Sequence, residues 1–329
     1  GNHVVALLPQ PGPLEAELNT TQIPYHIVRH LERWIIPVRL TYPKGIRQHV
    51  MHFFRAAYDR MVADARIDRI LDENRIEIVH INASSGCLGA RPAIRKKIKL
   101  VWHIREFMEE DLGKKFVSPK RTLQLMSRAD CIITISDAIR QKYEDRIDTR
   151  ILTIHNGVDA QRFYAPRGIL HSEVVKIVIS GRVVPKKGHM TLLKALSIAN
   201  REGAGNFECH ILGPLDNKSY LGELEEFIGA NGLEERVRFH GFCESVSEHL
   251  RQMDILCMCS DREAFGLSTV EGMLSGCLII GTNTGGTTEI LEDGTTGLLY
   301  AQGEGSDLAL AERLIWAMRN PEKAREIAV

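Results

Sequence analysis

Residues 176–188 have the sequence KIVISGRVVPKKG, a predicted strand and loop with which the second half of the chain begins. Residues 176–180 are rich in β-branched side chains and predict a buried strand. After this strand, Gly181 lets the backbone approach a ligand, Arg182 offers a planar fork and Lys187 offers a point charge. The combination predicts an anion-binding loop at the carboxyl end of the strand, with a solvated surface turn as the alternative.

Short β-rich runs alternate with amphipathic stretches along the whole chain. In the first half, strands are predicted at residues 3–8, 25–27, 78–82, 99–103, 131–135 and 151–155. In the second half, strands are predicted at residues 176–180, 208–213, 237–240, 255–259, 277–281 and 298–300, and helices at 192–200, 221–231, 246–251 and 267–274. This order is typical of βα units that build parallel sheets, so we expect an α/β fold of two doubly wound domains.

The segment 159–174 interrupts both periodicities and separates predicted domains at residues 1–165 and 166–329. Ligands of open α/β sheets bind beyond the carboxyl ends of the strands. Two such domains that face each other therefore predict a cleft lined by loops of both.

The composition of the 329 residues excludes several classes of protein. With 44% apolar residues the chain is neither disordered nor fibrous, and 42 basic side chains balance 42 acidic ones, which argues against nucleic acid as a partner. Residues 1–165 carry 26 basic and 19 acidic side chains, so this half favours anionic surfaces. Seven cysteines without CxxC spacing predict free thiols in a reducing cytoplasm. No apolar stretch has membrane-spanning length, so any membrane contact is expected to be peripheral.

The absence of several motifs narrows the chemistry. No GxGxxG motif follows a strand, and no GxxxxGK[ST] motif is present, so dinucleotide cofactors and nucleoside triphosphates lack their usual sites. HExxH, GxSxG and DxD motifs are absent as well. We therefore expect neither a cofactor nor a metal.

A second loop, in residues 261–274 with the sequence DREAFGLSTVEGML, leads from a strand into a predicted helix. The backbone amides of Gly266, Leu267 and Ser268 at the start of this helix predict a phosphate site, which the helix dipole strengthens. A third loop of small residues, 281–289, opens toward the same edge. Three successive loops at one edge of the sheet therefore allow close approach of a ligand to the backbone.

Two carboxylates accompany the second loop. Glu263 is placed in the loop and Glu271 in the first turn of the helix beneath it, which suits binding of two polyhydroxylated parts of one ligand. Ser268 and Glu271 also have the spacing of a capping box, which needs no ligand. The two interpretations are compatible.

The second half resembles the donor domain of the GT-B glycosyltransferases of the large retaining family four. Residues 181–188 match the family's G-R-hydrophobic-x-x-x-K-G loop, and residues 263–271 match its E-x-F-G-L-x-x-x-E motif. Residues 285–290 match G-G-x-x-E-hydrophobic, and residues 293–298 match D-G-x-x-G-hydrophobic. Order and spacing agree over about 120 residues. The resemblance implies two Rossmann-like domains that face each other across a cleft.

The first half carries weaker parts of the same resemblance. Residues 156–163 are similar to the family's N-G-V-D-x-x-x-F segment before the interdomain linker. Residues 101–106 resemble the strand that ends in a histidine facing the cleft, which identifies His103, although a histidine in an apolar strand also fits a satisfied core residue. Residues 1–18 resemble the second βα unit of the family, which predicts that the first unit is missing.

The resemblance implies transfer of a hexose-type sugar from a nucleoside diphosphate sugar to a hydroxyl acceptor, with retention at the anomeric carbon. UDP is the expected nucleotide from its frequency in the family, and envelope or exocellular polysaccharide synthesis is the expected pathway. The expected catalytic residues are Arg182 and Lys187 on the departing diphosphate, Glu263 on the sugar, and His103 on the sugar or acceptor. The expected donor-binding residues are Gly181, Phe265, Gly266, Leu267, Ser268 and Glu271, the last on the ribose diol.

A basic cluster in the first half bears on the acceptor. Its members lie near a predicted helix end and are Arg91, Arg95, Lys96, Lys97 and Lys99. Residues 46–61 are amphipathic. A solvated helix face is one interpretation, and peripheral docking on the anionic inner face of the cell membrane, which brings a lipid-linked saccharide to the cleft, is the other.

Two other functions fit the same plan of domains. A nucleotide-sugar 2-epimerase shares the two-domain architecture, although the E-x7-E motif fits transferases better. A non-catalytic nucleotide-sugar-binding protein fits the missing first unit. Assays of nucleotide release and sugar transfer separate the three functions.

Overall fold

The computed structural model describes residues 3–29, 35–37, 61–84, 86–111, 113–116, 118–165 and 173–328. The chain divides into two compact units, Gly1–Ile154 and His155–Val329. Both units are built from strands and helices that alternate along the chain, and parallel sheets form their centres. The expected α/β fold is therefore confirmed.

The first unit centres on a four-stranded parallel sheet in the order β4-β5-β7-β8. Its strands are β1 (Ala6–Leu8), β2 (Tyr25–Ile27), β3 (Ile35–Pro37), β4 (Ile78–Ile81), β5 (Lys99–Ile104), β6 (Lys114–Phe116), β7 (Cys131–Thr134) and β8 (Ile151–Thr153). Its helices are α1 (Leu14–Thr20), α2 (61–73), α3 (Ala90–Lys96), α4 (Pro119–Met126) and α5 (Asp137–Tyr143). Strands β1 and β2 form a separate parallel pair. The six strands predicted in this half are all present.

The antiparallel pair of β3 and β6 was not predicted from the sequence. Two of the three residues of β6 are lysines, so the strand has neither the β-branched composition nor the alternation that predicts a strand. Its partner is distant in sequence. Pairing of this kind is decided by tertiary contact rather than by local propensity.

The second unit contains six parallel strands in the order β11-β10-β9-β12-β13-β14. They are β9 (Val174–Ser180), β10 (Asn206–Leu212), β11 (Val237–Gly241), β12 (Ile255–Met258), β13 (Leu278–Thr282) and β14 (Leu298–Tyr300). The helices are α6 (Ala160–Phe163), α7 (His189–Arg201), α8 (Lys218–Ala230), α9 (Val246–Leu250), α10 (Leu267–Leu274), α11 (Thr287–Ile290), α12 (Ser306–Arg319) and α13 (Pro321–Ile327). The strand order reverses between β9 and β12, which makes this position the switch point of a doubly wound sheet.

Helices cover both faces of this sheet. One core cluster joins strand residues to α7, α8, α12 and α13, and a second joins the opposite face to α9, α10 and α11. Strands β12 and β13 are buried at every residue because they lie between the two layers of helices. The uninterrupted apolar runs of their sequences follow from this double burial.

The residues before the predicted boundary at 165/166 pack on the second unit. The Ala165 amide donates to the Leu274 carbonyl at 3.0 Å, and the Ser275 hydroxyl donates to the Phe163 carbonyl at 3.2 Å. Residues 166–172 belong to the predicted boundary segment 159–174 and lie outside the described residues.

Side-chain caps explain where three of the helices begin. Ser136 accepts from the Ile139 amide at the start of α5, and Asn217 accepts from the Tyr220 amide at the start of α8. Asp159 accepts from two amides of α6. Short polar side chains at these positions satisfy amides that have no intrahelical acceptor.

Within the described residues, no helix has both the length and the apolar composition that crossing a bilayer requires.

His189, which is completely buried at the start of α7, makes the stability of the second unit depend on pH. Burial, with a smaller effect of Lys187, lowers its pKa from 6.5 to about 4, although the Val184 backbone opposes this shift. The unfolded chain therefore binds this proton first as the pH falls. The stability that neutral His189 supplies is complete above pH 6.5 and is lost as the pH falls toward 4.

We expect this loss to amount to about 3 kcal/mol of unfolding free energy. Chemical denaturation at neutral pH and near pH 4 measures it in the parent and in His189→Leu. The variant should have the shallower pH dependence, since its other titrating groups are unchanged. Equal slopes would show that His189 does not hold its neutral form.

Candidate functional site

The loops after β9 and β12 flank the switch point, where doubly wound sheets bind their ligands. The loop after β9 begins at Gly181, whose amide donates to the Leu212 carbonyl at 2.8 Å. Gly213, which follows β10, lies so close that an added Cβ would be 1.9 Å from the Gly181 carbonyl oxygen. Only glycine at 213 permits this approach. The close contact holds the beginning of the Gly181–Gly188 loop against the residue that follows β10.

The other end of that loop is held in the same way. Pro185–Lys187 form a short 3-10 helix, and Gly188, with φ of +73°, connects it to α7. A Cβ on Gly188 would be 2.0 Å from the Cys259 carbonyl oxygen. The loop after β9 therefore packs directly against the residue that follows β12.

Lys187 and Glu263 meet between these two loops. The Lys187 ammonium group donates to Glu263 Oε2 at 2.8 Å, and the two side chains are 37% and 16% exposed. Arg182 is exposed and makes no ion pair within the part of the chain that the structure describes. The structure thus places a paired cation and an unpaired cation in the same loop.

The loop that carries Glu263 is fixed by the loop after β13. The Gly286 amide donates to the Glu263 carbonyl at 2.8 Å. A Cβ on Gly285 would be 2.3 Å from that carbonyl oxygen, and a Cβ on Gly286 would be 2.6 Å from Phe265 Cα. The two glycines of the G-G-x-x-E match therefore determine where Glu263 lies.

Helix α10 begins at the same edge. Gly266, with φ of +103°, is its N-cap residue, so the amides of Leu267 and Ser268 have no intrahelical acceptor and remain donors for an anion. Ser268 is the second residue of the helix rather than its cap, so the capping-box interpretation was wrong. Glu271 is the fifth residue and lies beyond the first turn in which the sequence analysis placed it.

Glu271 is half-buried on α10. Burial raises the pKa of its carboxyl group, and the charge of Arg162 partly opposes this shift. A partly desolvated carboxyl group gains from hydrogen bonds with neutral hydroxyl groups, since these replace lost water. This environment suits a diol.

Phe265 contributes its backbone rather than its ring to the edge, because its side chain is 5% exposed. Its ring lies 5.3 Å from the ring of His155, and His155 Nε2 lies 3.2 Å from Glu289 Oε2. Glu289 lies in the G-G-x-x-E match and His155 lies next to the N-G-V-D match, but nothing in the sequence indicated that they meet. His155 thus connects Phe265, a residue of the loop that carries Glu263, to Glu289.

His103 belongs to the first unit. Its ring stacks on His80 with 5.6 Å between ring centroids, and Nε2 is buried without a hydrogen-bond partner in the described residues. Burial, followed by the charges of Arg105 and His80, lowers its pKa to about 4. At neutral pH His103 is therefore an uncharged imidazole whose enclosed Nε2 has no partner among the described residues.

The predicted basic cluster is largely neutralised. Arg95 pairs with Asp68, the Lys96 ammonium group is 2.8 Å from an Asp72 oxygen, and the Lys99 ammonium group is 2.7 Å from an Asp130 oxygen. Of the amphipathic stretch 46–61, residues 46–60 lie outside the described residues. The pairs reduce the charge that α3 presents to a partner.

Two family descriptions cover nearly the whole chain. The family described as Glycosyltransferase Family 4 matches residues 2–162, and the family described as Glycosyl transferases group 1 matches residues 166–328. An uncharacterized glycosyltransferase of Methanocaldococcus jannaschii is 27% identical over 265 residues, which is 77% of this chain and 68% of that protein.

Solved structures share the fold. HepE of Anabaena, in complex with UDP and glucose, superposes with a TM-score of 0.73 at 20% identity and covers 98% of this chain and 84% of its own. The apo form of the lipopolysaccharide outer core galactosyltransferase WaaB superposes with a TM-score of 0.68 at 18% identity and covers 92% of this chain and 77% of its own.

Proposed function

Because this chain belongs to family four of the GT-B glycosyltransferases, we propose that it moves a hexose-type sugar from a UDP-sugar to a hydroxyl acceptor with retention at the anomeric carbon. The observation that carries the proposal is the contact of Lys187 with Glu263 at the switch point of the second unit. The complex of HepE with UDP and glucose supports UDP as the nucleotide.

The departing diphosphate needs cationic and hydrogen-bonding partners, since its negative charge grows as the glycosidic bond breaks. Arg182, Lys187 and the first amides of α10, those of Leu267 and Ser268, supply them on the two loops that flank the switch point. Groups held in place before the reaction stabilise developing charge most effectively. We propose that these groups serve without a metal or a cofactor.

The ion pair places the Lys187 ammonium group and the Glu263 carboxylate side by side before the donor binds. When a phosphate oxygen binds Lys187, the Glu263 carboxylate loses its partner and accepts hydrogen bonds from sugar hydroxyl groups instead. Diphosphate and sugar are thereby bound by adjacent side chains. In the retaining step that we favour, the acceptor hydroxyl attacks the face that the diphosphate leaves, and the diphosphate takes its proton.

Two further residues complete the proposed assignment. Glu271 accepts hydrogen bonds from the ribose diol, which fits its half-buried carboxyl group. His103, neutral at physiological pH, contacts the sugar or the acceptor.

We propose a lipid-linked saccharide as the acceptor, in the synthesis of envelope or exocellular polysaccharide. The similarity of fold to WaaB, whose name assigns it to the lipopolysaccharide outer core, supports this class of pathway. An acceptor of this kind is reached at a membrane surface.

We expect contact with anionic membranes to be weak, because carboxylates pair with Arg95, Lys96 and Lys99. Sedimentation of the chain with anionic and neutral vesicles measures it. A small excess in the anionic pellet that disappears in physiological salt is the expected result. Equal sedimentation with both vesicles would defeat the membrane proposal.

Calorimetric titration of the full chain with UDP, GDP and ADP tests the donor site without an acceptor. We expect UDP to bind most tightly, and binding to weaken in Lys187→Ala. Release of UDP from a panel of UDP-sugars then identifies the sugar, and analysis of the product anomer tests retention. If no nucleotide binds, the donor site is wrongly placed.

A further inference from the structure

A second basic feature of the first unit differs from the cluster predicted from the sequence. A groove of about 490 Å³ lies between α3 and the segment formed by α4 and the turn after it. The residues that line it are Arg91, Ile94, Arg95, Arg121, Gln124, Leu125 and Arg128. Four of these side chains are arginines and none is acidic. We call this feature the arginine groove.

The charge of the arginine groove is only partly balanced. Arg95 pairs with Asp68, which does not line the groove. Arg121 and Arg128 are exposed, and neither forms an ion pair within the described ranges of the chain. Like charges around so small a space repel one another, and an oxyanion that accepts paired hydrogen bonds from guanidinium groups offsets this repulsion.

The chemistry of the lining indicates what kind of anion fits. All four cations are arginines, whose planar forks match the oxygen atoms of phosphate in pairs, whereas lysine offers only a point charge. Ile94 and Leu125 are half-buried and apolar, and Gln124 adds an amide. Such a groove has room and contacts for an uncharged body beside the anionic groups, and its volume is that of a small-molecule site.

We propose that the arginine groove binds a soluble, phosphate-bearing ligand. On a chain that transfers sugars, a phosphorylated saccharide combines the anionic groups and the polar body that the lining fits; this identification of the ligand rests on the proposed function. The groove belongs to the first unit and shares no residue with the donor site of the second unit.

A soluble ligand fits these helices better than a bilayer does. Helices that lie on membranes present large apolar side chains to the lipid as well as cations. Neither α3 nor α4 carries an exposed large apolar side chain, and Ile94 and Leu125 are half-buried. The arginines therefore line an open groove without the apolar side chains that would anchor these helices in lipid.

Calorimetric titration with inorganic diphosphate at low salt tests the proposal in four forms of the full chain. The first two are the parent and Arg121→Ala/Arg128→Ala, which removes two arginines of the groove. The third is Arg182→Ala/Lys187→Ala, which removes the cations of the proposed donor site. The fourth is Arg150→Ala, which removes an exposed arginine of the first unit outside the groove. Circular dichroism confirms that each form is folded.

We expect two sites in the parent and in Arg150→Ala. The donor-site variant should keep the groove site, and the groove variant should bind diphosphate there at least about tenfold more weakly. Failure of the donor-site assignment would leave the diphosphate profile of Arg182→Ala/Lys187→Ala like that of the parent, so the two proposals fail separately.

Two outcomes would overturn the groove proposal. One is diphosphate binding that Arg121→Ala/Arg128→Ala leaves unchanged. The other is a chain that binds anionic vesicles through these arginines while the groove site for soluble diphosphate is absent, because the ligand would then be a lipid headgroup.

Discussion

Lys187→Ala should lower the turnover number by at least about a hundredfold, since it removes a fixed cation from the diphosphate that carries the developing charge. The substitution also leaves Glu263, which is 16% exposed, without the partner that is now 2.8 Å away. Release of UDP from the preferred UDP-sugar, measured at saturating donor, gives the rate. A rate within a few-fold of the parent would reject the role of Lys187.

Two further variants make this experiment specific. Lys194→Ala removes an exposed lysine of α7, in the same unit, and should leave the rate unchanged. Glu263→Ala should lower turnover on the same scale as Lys187→Ala. Because the two side chains contact each other, the double variant should lose less than the two single losses combined. Additive losses would contradict a shared role.

Gly213→Ala should lower the unfolding free energy of the chain by roughly 3–5 kcal/mol, because backbone strain and overpacking act together. Gly213 has φ of +145°, and its Cβ would be 1.9 Å from the Gly181 carbonyl oxygen, a backbone atom that cannot rotate away. Separation of the loops after β9 and β10 would also displace Arg182. Nucleotide binding should therefore weaken in addition to the loss of stability. Chemical denaturation and UDP titration measure the two effects.

Gly222→Ala provides the matched control. Gly222 lies inside α8, and a Cβ there would meet no atom within 4 Å. Alanine is favoured over glycine in a helix, so this variant should be more stable than the parent by about 0.5–1 kcal/mol. If Gly213→Ala were as stable as the parent, the close contact between the loops after β9 and β10 would be wrong.

The strands of both units were predictable because their signal is local. Buried β-branched runs such as Val174–Ser180 and Leu278–Thr282 identify themselves through composition and spacing. The pair formed by Ile35–Pro37 and Lys114–Phe116 was missed because no local pattern marks it. Its strands exist only as partners of each other.

Motif spacing predicted Arg182, Lys187 and Glu263 in the loops where the structure has them, since each loop follows its own strand. The N-cap of α10 was misassigned because Ser268 and Glu271 satisfy the capping-box pattern. The N-cap residue is instead Gly266, whose φ of +103° lets the chain enter the helix without a side-chain cap. A residue that starts a helix through backbone conformation leaves no side-chain signal. Sequence patterns favour side-chain caps for that reason.

Local order along the chain thus specified the α/β class, the doubly wound second half and the loops that carry Arg182, Lys187 and Glu263. Contacts between distant residues settled the rest: that Lys187 pairs with Glu263, that His155 supports Phe265, and that arginines of α3 and α4 share one groove. The physical reason is distance. Propensity and periodicity act within a few residues, whereas these contacts depend on how strands and helices far apart in sequence pack together.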